Sequence, residues 1–324
     1  MSVVSARSVV EGLDPERYEV REIAIGRDGR WELERGTRAE LSGPEPVEAG
    51  LPVPVEGSAP EPLGDVDIVF PVLHGPFGED GTVQGLLELA DVAYVGAGVA
   101  ASALSMDKDL FKAVMRDKGV PVTRSIAVLK RHRDRVENPF GYPVVVKPAR
   151  LGSSVGITIV HGPDELAGAV ALAFEHDEKI LLEEHVSGVE VECGVLGNEE
   201  PVASLVGEIV PLASDWYDYA AKYDEGGMDL VVPARISDES TRRVQELAVA
   251  SFVAADCEGM ARVDFFVRED GEVLVNELNT IPGFTATSVY AKLFEASGIP
   301  YPELLDRLVA LALERRDRRA GLRY

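Results

Sequence analysis

The chain has 324 residues, enough at roughly 150 residues per domain for two domains or three small ones. Hydrophobic residues at 46% and charged residues at 27% permit a sizeable core and exclude a disordered chain. A formal net charge of −24 repels phosphate backbones and anionic headgroups, so neither nucleic acid nor membrane is expected as a partner, while a local pocket for one nucleotide remains allowed.

The two cysteines, Cys193 and Cys257, sit in apolar stretches and cannot build a disulfide framework, so buried thiols and a cytoplasmic location are expected. No apolar run approaches the roughly 20 residues that span a bilayer, and no signal-peptide pattern opens the sequence.

In chain order, a helix is expected at Val3 to Leu13 and a strand at Tyr18–Ile25. Residues 41–64 are rich in Pro, Gly and Glu and read as a surface insertion. Short strands at Asp67–Val72 and Ala93–Val95 alternate with helices at Thr82–Ala90 and Val99–Leu104, which argues for a parallel, doubly wound layer. A charged helix, Lys108–Lys118, leads into a β-rich block at Val144–Lys147, Ile157–Val160, Lys179–Glu183 and Val189–Leu196. The aromatic, aperiodic stretch Ala213–Gly227 is a candidate functional loop. A long helix, Asp238–Cys257, precedes a hairpin and a C-terminal amphipathic helix. Its terminal Arg315, Arg316, Arg318 and Arg319 suit a helix C-terminus and receive no functional reading.

The hairpin ARVDFFVREDGEVLVNELNT carries the sharpest signal. A two-residue turn at Asp270-Gly271 pairs residues whose numbers sum to 541, which sets Asp264 opposite Glu277. Alternation then places Arg262, Asp264, Glu277 and Asn279 on one face, with Val263, Phe265, Val267, Leu274 and Leu278 on the other. Opposed carboxylates repel. Two carboxylates and an amide, all oxygen donors, suit Mg²⁺ carrying substrate phosphates, against the blander reading in which Arg262 merely neutralises a solvated polar face.

The segment GYPVVVKPARLGSSVGI delivers Lys147 on a strand and follows it with a Gly/Ser-rich turn suited to an anion. Only eight lysines occur, and Lys108, Lys147 and Lys222 all fall in motif-like segments. Gly96-Ala-Gly98 imitates a dinucleotide fingerprint without its later acidic residue, and reads as a tight turn with close packing. His74 ends an apolar strand, where open α/β sheets bind ligands. Glu79 and Asp80 could cap the helix that follows. His132, His161 and His176 read as surface. Glu183 and Glu184, at a strand end, suit a base and ribose or a solvated edge equally.

HGPFGEDG, SALSMDK, VVKPARLGSSVGI, LLEEHVSGVE, YDYAAKY, GMARVDFF and NELNTIPGFTATS, in this order and spacing, resemble the D-alanine–D-alanine ligase family of the ATP-grasp superfamily. The likeness runs over essentially the whole chain from Ser2. It implies three α/β domains: an N-terminal doubly wound substrate-binding layer at 1–104, a central ATP-grasp subdomain at 105–183, and a C-terminal one at 184–324 with a mobile loop at 213–227.

The resemblance also implies roles. Lys108, Lys147, Ser153 and Ser154 would meet ATP phosphates, and Glu183, Glu184, Val186 and Glu190 would surround adenine and ribose. Asp264, Glu277 and Asn279 would hold two Mg²⁺ ions, or Mn²⁺ in their place. Arg262 and the Gly283 amide would form the oxyanion site. His74, Lys222, Ser288 and Val289 would bind substrate, and Tyr223 would join the loop, a lid around Trp216–Tyr223, to Ser153.

The activity implied is ATP-dependent ligation of two D-alanines through an acyl phosphate, for peptidoglycan precursors, in a cytoplasmic homodimer. The alternatives are another ATP-grasp carboxylate–amine ligase, a D-alanine–D-lactate ligase, or a truncated ATP-binding protein with impaired ligation. Tyr223 resembles the dipeptide-forming members. Family members open with a strand, a Gly-rich turn and a Glu-Val-Ser segment. Met1 to Arg7 starts at the Val of that segment, and the expectation is a start placed roughly 20 residues late.

Overall fold

The computed structural model describes residues 2–25, 31–33, 66–152, 154–211 and 228–322. The insertion at 41–64, the loop at 213–227, and Ser153, Lys222 and Tyr223 lie outside them.

Helix α1 (Ser2–Gly12) is followed by strands β1 (Ile23–Ile25) and β2 (Trp31–Leu33), which pair antiparallel. The expected strand from Tyr18 is therefore shortened. Residues 18–22 have no ladder partner among the described residues, and Tyr18 instead donates its hydroxyl to Asp306. Strands β3 (Ile68–Val69) and β4 (Ala93–Tyr94) pair in parallel around helix α2 (Thr82–Leu89), so the expected strand at Asp67–Val72 contracts to two residues. Helix α3 (Val99–Met106) and helix α4 (Lys108–Asp117) follow, the latter capped by the Asp107 side chain on the Leu110 N–H.

A four-stranded antiparallel sheet comes next, from β5 (Ser125–Leu129), β6 (Val144–Pro148), β7 (Thr158–Val160) and β8 (Lys179–Glu184), in the order β5-β8-β6-β7. Helix α5 (Pro163–His176) covers it, and Val144, Val146, Val160, Ala173, Ile180 and Leu182 make its own core.

A five-stranded antiparallel sheet is built from β9 (Val189–Gly197), β10 (Val202–Pro211), β11 (Met228–Val231), β12 (Gly259–Val267) and β13 (Val273–Asn279), in the order β11-β10-β9-β12-β13. One face packs on α3, α4 and helix α6 (Asp238–Ala254), burying Phe111, Met115, Cys193, Phe252 and Cys257. Both thiols are free and buried, as composition implies.

Helix α7 (Val289–Ala296) and helix α8 (Tyr301–Ala320) complete a further core. In it Val9 and Val95, with Ile68, Phe70 and Val72 against them, meet Leu196, Met260, Phe284, Tyr290 and Leu308. The N-terminal layer and the five-stranded sheet thus share one apolar cluster.

Arg315 secures that junction. It is 4% exposed, donates to the carbonyls of Gly96 and Tyr94, and lies 4.2 Å from the Tyr94 ring centroid. A helix-end arginine without an expected role is a buried tie. Beside it the backbones of Gly96 and Gly259 nearly touch. A Cβ on Gly259, whose φ is +77°, would lie 3.2 Å from the Gly96 Cα. The close packing expected at Gly96-Ala-Gly98 is present.

Candidate active site

The site begins with the register of β12 and β13. Asp264 faces Glu277 and Arg262 faces Asn279, as the sequence predicts, but the turn is different. Val267 pairs with Val273, and the Arg268 N–H reaches the Glu272 carbonyl at 2.9 Å, so the loop holds three residues, with Gly271 at φ +87°. That shift is reversed by a bulge at Asn276, beyond which the expected register resumes. Between bulge and turn the faces are exchanged. Leu274 lies opposite Phe266 on the polar face, where simple alternation from a two-residue turn puts it with the core.

Arg262 and Asp264 form a two-pronged pair at 2.7 Å for both bonds, and Arg262 Nε lies 2.9 Å from Glu192 Oε2. Glu192 pairs with Asp264 across β9 and β12, and Glu190 with Phe266, which places both glutamates on the polar face. Burial disfavours the Arg262 charge, yet Asp264 and Glu192 outweigh it and hold the guanidinium firmly protonated. Asn279 Nδ2 donates to Asp264 Oδ2 at 3.0 Å.

Lys108 opens α4, where the helix dipole disfavours a cation. Its Nζ is held by Glu277 Oε2 at 3.0 Å and the Leu151 carbonyl at 2.8 Å. Lys147, on buried β6, donates to Glu183 Oε1 at 2.7 Å and to Asn276 Oδ1 at 3.3 Å. The bulge brings Asn276 to that lysine. Glu183 also receives Lys112, a wholly buried lysine bonded to Thr123 as well. Burial pushes the Glu183 carboxyl up, but Lys112 and Lys147 outweigh it and hold it at about 2. Glu184 accepts the Arg124 N–H and guanidinium, each at 2.8 Å. The side chains of both expected adenine-side glutamates are therefore engaged by the protein.

His74 spans two segments. Its Nδ1 lies 3.1 Å from the Ile281 carbonyl and its Nε2 3.1 Å from the Ser5 hydroxyl, and burial keeps the ring neutral. A neutral ring donates from Nδ1 and accepts at Nε2. The loop after β13 is also tied to α1 by the Ala286 N–H on Ser8 Oγ at 2.9 Å, which fixes Gly283 between the two ties. Ser288 stands at the N-cap position of α7 without capping it, and its hydroxyl instead donates to the Thr285 carbonyl at 2.8 Å. The Val289 side chain is buried against Ile209 and Leu293, so only its backbone can face a ligand.

Asp80 bonds the N–H groups of Phe77 and Thr82, as a capping residue would. Glu79 does otherwise. It accepts the Gly75 N–H within the fields of Lys108, Arg262 and Glu277, and burial pushes its carboxyl up to about 7. Ser154 stands in the left-handed region at φ +60°, an unusual backbone for a residue with a side chain, in the turn after Lys147. Among the described residues no three His, Cys, Asp or Glu side chains gather as a metal cluster. The donor set is instead two carboxylates and an amide on one face, which fits a hard cation that keeps ligands for phosphate and water. His132, His161 and His176 are exposed.

The hairpin of the five-stranded sheet thus meets Lys147 of the four-stranded sheet through Asn276 and Lys108 of α4 through Glu277. A family model described as D-ala D-ala ligase N-terminus matches residues 1–97, and one described as D-ala D-ala ligase C-terminus matches residues 114–310. The D-alanine–D-alanine ligase of Chloroherpeton thalassium is 44% identical over 97% of this chain and 93% of the relative. Among solved structures, the VanG D-Ala:D-Ser ligase of Enterococcus faecalis has a TM-score of 0.82 and 37% identity, over 96% of this chain and 94% of that one. The Bacillus anthracis D-alanine–D-alanine ligase complexed with ATP has a TM-score of 0.76 and 26% identity, over 98% and 94%. The chain belongs to the D-alanine–D-alanine ligase family.

Proposed function

We propose that the chain joins two D-alanines into D-alanyl-D-alanine for peptidoglycan precursors, consuming ATP, as a homodimer in the cytoplasm. The carrying observation is the opposed pair Asp264 and Glu277, flanked by Arg262 and Lys108. The domain division implied by the resemblance, with ATP between the two larger sheets, is proposed with it.

The charges explain what the cleft needs. Lys108, Lys112, Lys147 and Arg262 face Glu183, Glu192, Asp264 and Glu277, four cations against four carboxylates. A triphosphate adds roughly four negative charges, which two divalent ions would offset. Asp264, Glu277 and Asn279 would hold Mg²⁺, or Mn²⁺, which would supply neutralisation of the phosphate charge.

Lys108 and Lys147, with the turn at Ser153 and Ser154, would orient the phosphates, while Val186 and Glu190 line the base and ribose. The carboxylate of the first D-alanine attacks the γ-phosphate and ADP leaves. The amine of the second D-alanine then attacks the acyl phosphate, and phosphate departs. Arg262, kept charged by Asp264 and Glu192, and the Gly283 N–H, fixed by the ties at Ile281 and Ala286, would donate to the tetrahedral oxyanion. His74 would hold the first substrate's pocket in shape. Ser288, the Val289 backbone and Lys222 would take the second carboxylate, and Tyr223 would close the lid against water.

ADP release measured at pH 7 with D-alanine, D-serine, D-lactate and L-alanine tests this reading. D-alanine should support turnover, L-alanine none, and D-lactate little. Tyr223→Phe, which removes the hydroxyl, should shift the ratio toward D-lactate. Preference for D-serine or D-lactate over D-alanine would overturn the acceptor assignment. Sedimentation of the purified chain tests the dimer.

A further inference from the structure

Lys112 is wholly buried on α4, one helical turn past Lys108, and no step above uses it. Its ammonium donates to Oε2 of Glu183 and to the Thr123 hydroxyl, while Lys147 takes the other oxygen, Oε1, at 2.7 Å. One carboxylate is shared by two ammonium groups.

The sharing changes what Lys147 can offer. A lone Lys147–Glu183 pair would be neutral as a unit, and the carboxylate would compete with any phosphate for the lysine's charge. With Lys112 attached from behind, the cluster carries one net positive charge. Lys147 stands at the end that reaches Asn276 on the hairpin, so that charge is presented on the side of the polar face.

Packing alone does not call for a lysine here. The α4 face formed by Phe111 and Met115 enters the apolar core, and an aliphatic residue would continue it without desolvating an ammonium. Burial pushes the Lys112 ammonium down to about 8, against the pull of Glu183, so the protein holds it charged at a cost.

We propose that Lys112 is a positioning residue for nucleotide binding, which neutralises Glu183 from the buried side and so frees the charge of Lys147 for the phosphates of ATP. The proposal rests on the nucleotide site described under the proposed function.

The test is calorimetric binding of Mg²⁺–AMP-PNP to the full chain, with adenosine as the uncharged probe, in wild type, Lys112→Met, Glu183→Gln and the double variant. Lys112→Met should weaken AMP-PNP by about tenfold or more, the scale of one charge-assisted bond, and leave adenosine nearly unmoved. In turnover the KM for ATP should rise while the KM for D-alanine does not. The double variant should recover most of the lost AMP-PNP affinity, because a neutral amide in place of the Glu183 carboxylate no longer cancels Lys147.

A Lys112→Met chain that binds AMP-PNP as wild type does, or that loses adenosine in equal measure, overturns the proposal. So does a double variant no better than Lys112→Met. Should Lys112→Met fail to fold, the Glu183→Gln and double variants decide. With position 183 neutral, loss of Lys112 should cost well under tenfold, because no carboxylate is left to cancel Lys147. A tenfold or greater loss in the double relative to Glu183→Gln would overturn the proposal. A wild type that fails to bind AMP-PNP would overturn the nucleotide reading and this one with it, whereas wild-type binding with an unmoved Lys112→Met overturns this one alone.

Discussion

Asp264 and Glu277 stand opposite each other on neighbouring strands, and each is held by a cation from a different element, Arg262 of β12 and Lys108 of α4. Removing either carboxylate's charge relieves repulsion between them and leaves Arg262 paired with Glu192. Each substitution also leaves a buried cation short of its counter-charge, Arg262 or Lys108, so Asp264→Asn and Glu277→Gln should lower the thermal midpoint while the chain stays folded. Their Mg²⁺-dependent ADP release should fall on the order of a hundredfold or more, because metal ligation supplies several kcal/mol. Chelation of the wild type should give the same loss, restored by added Mg²⁺. Near-normal turnover in both variants would refute the metal assignment.

Glu79 offers a pH test. Its carboxyl rises from an ordinary value of 4.5 to about 7 in the folded chain because burial disfavours the anion. Between those values the native state holds a proton that the unfolded state has released, so stability falls as pH rises through the window and the full penalty is present above it. Glu79→Gln removes the penalty. The thermal midpoint of Glu79→Gln should exceed wild type more at pH 8 than at pH 5, and an equal difference at both would show that Glu79 ionises normally.

Arg315 predicts a stability loss separate from catalysis. Arg315→Met leaves two buried carbonyls, those of Tyr94 and Gly96, without their donor. An unsatisfied buried group costs about 1–3 kcal/mol, so denaturant unfolding should show a loss on the order of 2–5 kcal/mol. The KM for ATP should hold in the folded fraction. A midpoint unchanged from wild type would deny the tie.

The residues that patterning could place are those governed by strand alternation and by local turns. Arg262, Asp264, Glu277 and Asn279 are legible because a hairpin has few registers, yet the loop and the bulge at Asn276 each shift it by one and cancel. Leu274, lying between them, shows how such a cancellation hides, since its face is the opposite of the one alternation gives. Lys112 leaves a readable trace as a lysine on the apolar stripe of α4 with Phe111 and Met115. Its partner Glu183 is 71 residues away, which no local pattern conveys. Glu79 and Asp80 are adjacent carboxylates of like propensity, and only the path of the chain gives one to the backbone cap and the other to the cleft. The strand expected at Tyr18 fails for a tertiary reason, as its first residue is claimed by Asp306 of α8.

The apolar cluster that joins α1 and β4 to Met260 and α8 has a mechanical meaning. Val9 and Val95 share a core with Leu308, Arg315 pins the two parts, and Gly96 leaves no gap beside Gly259. The four-stranded sheet keeps a core of its own, with Val144, Val160 and Phe174 turned inward. That small sheet is therefore fastened to the larger body by polar ties at its edge, Glu183 to Lys112, the Leu151 carbonyl to Lys108 and Lys147 to Asn276. The groups that hold the two parts together are the same ones proposed to line the phosphate side of the site.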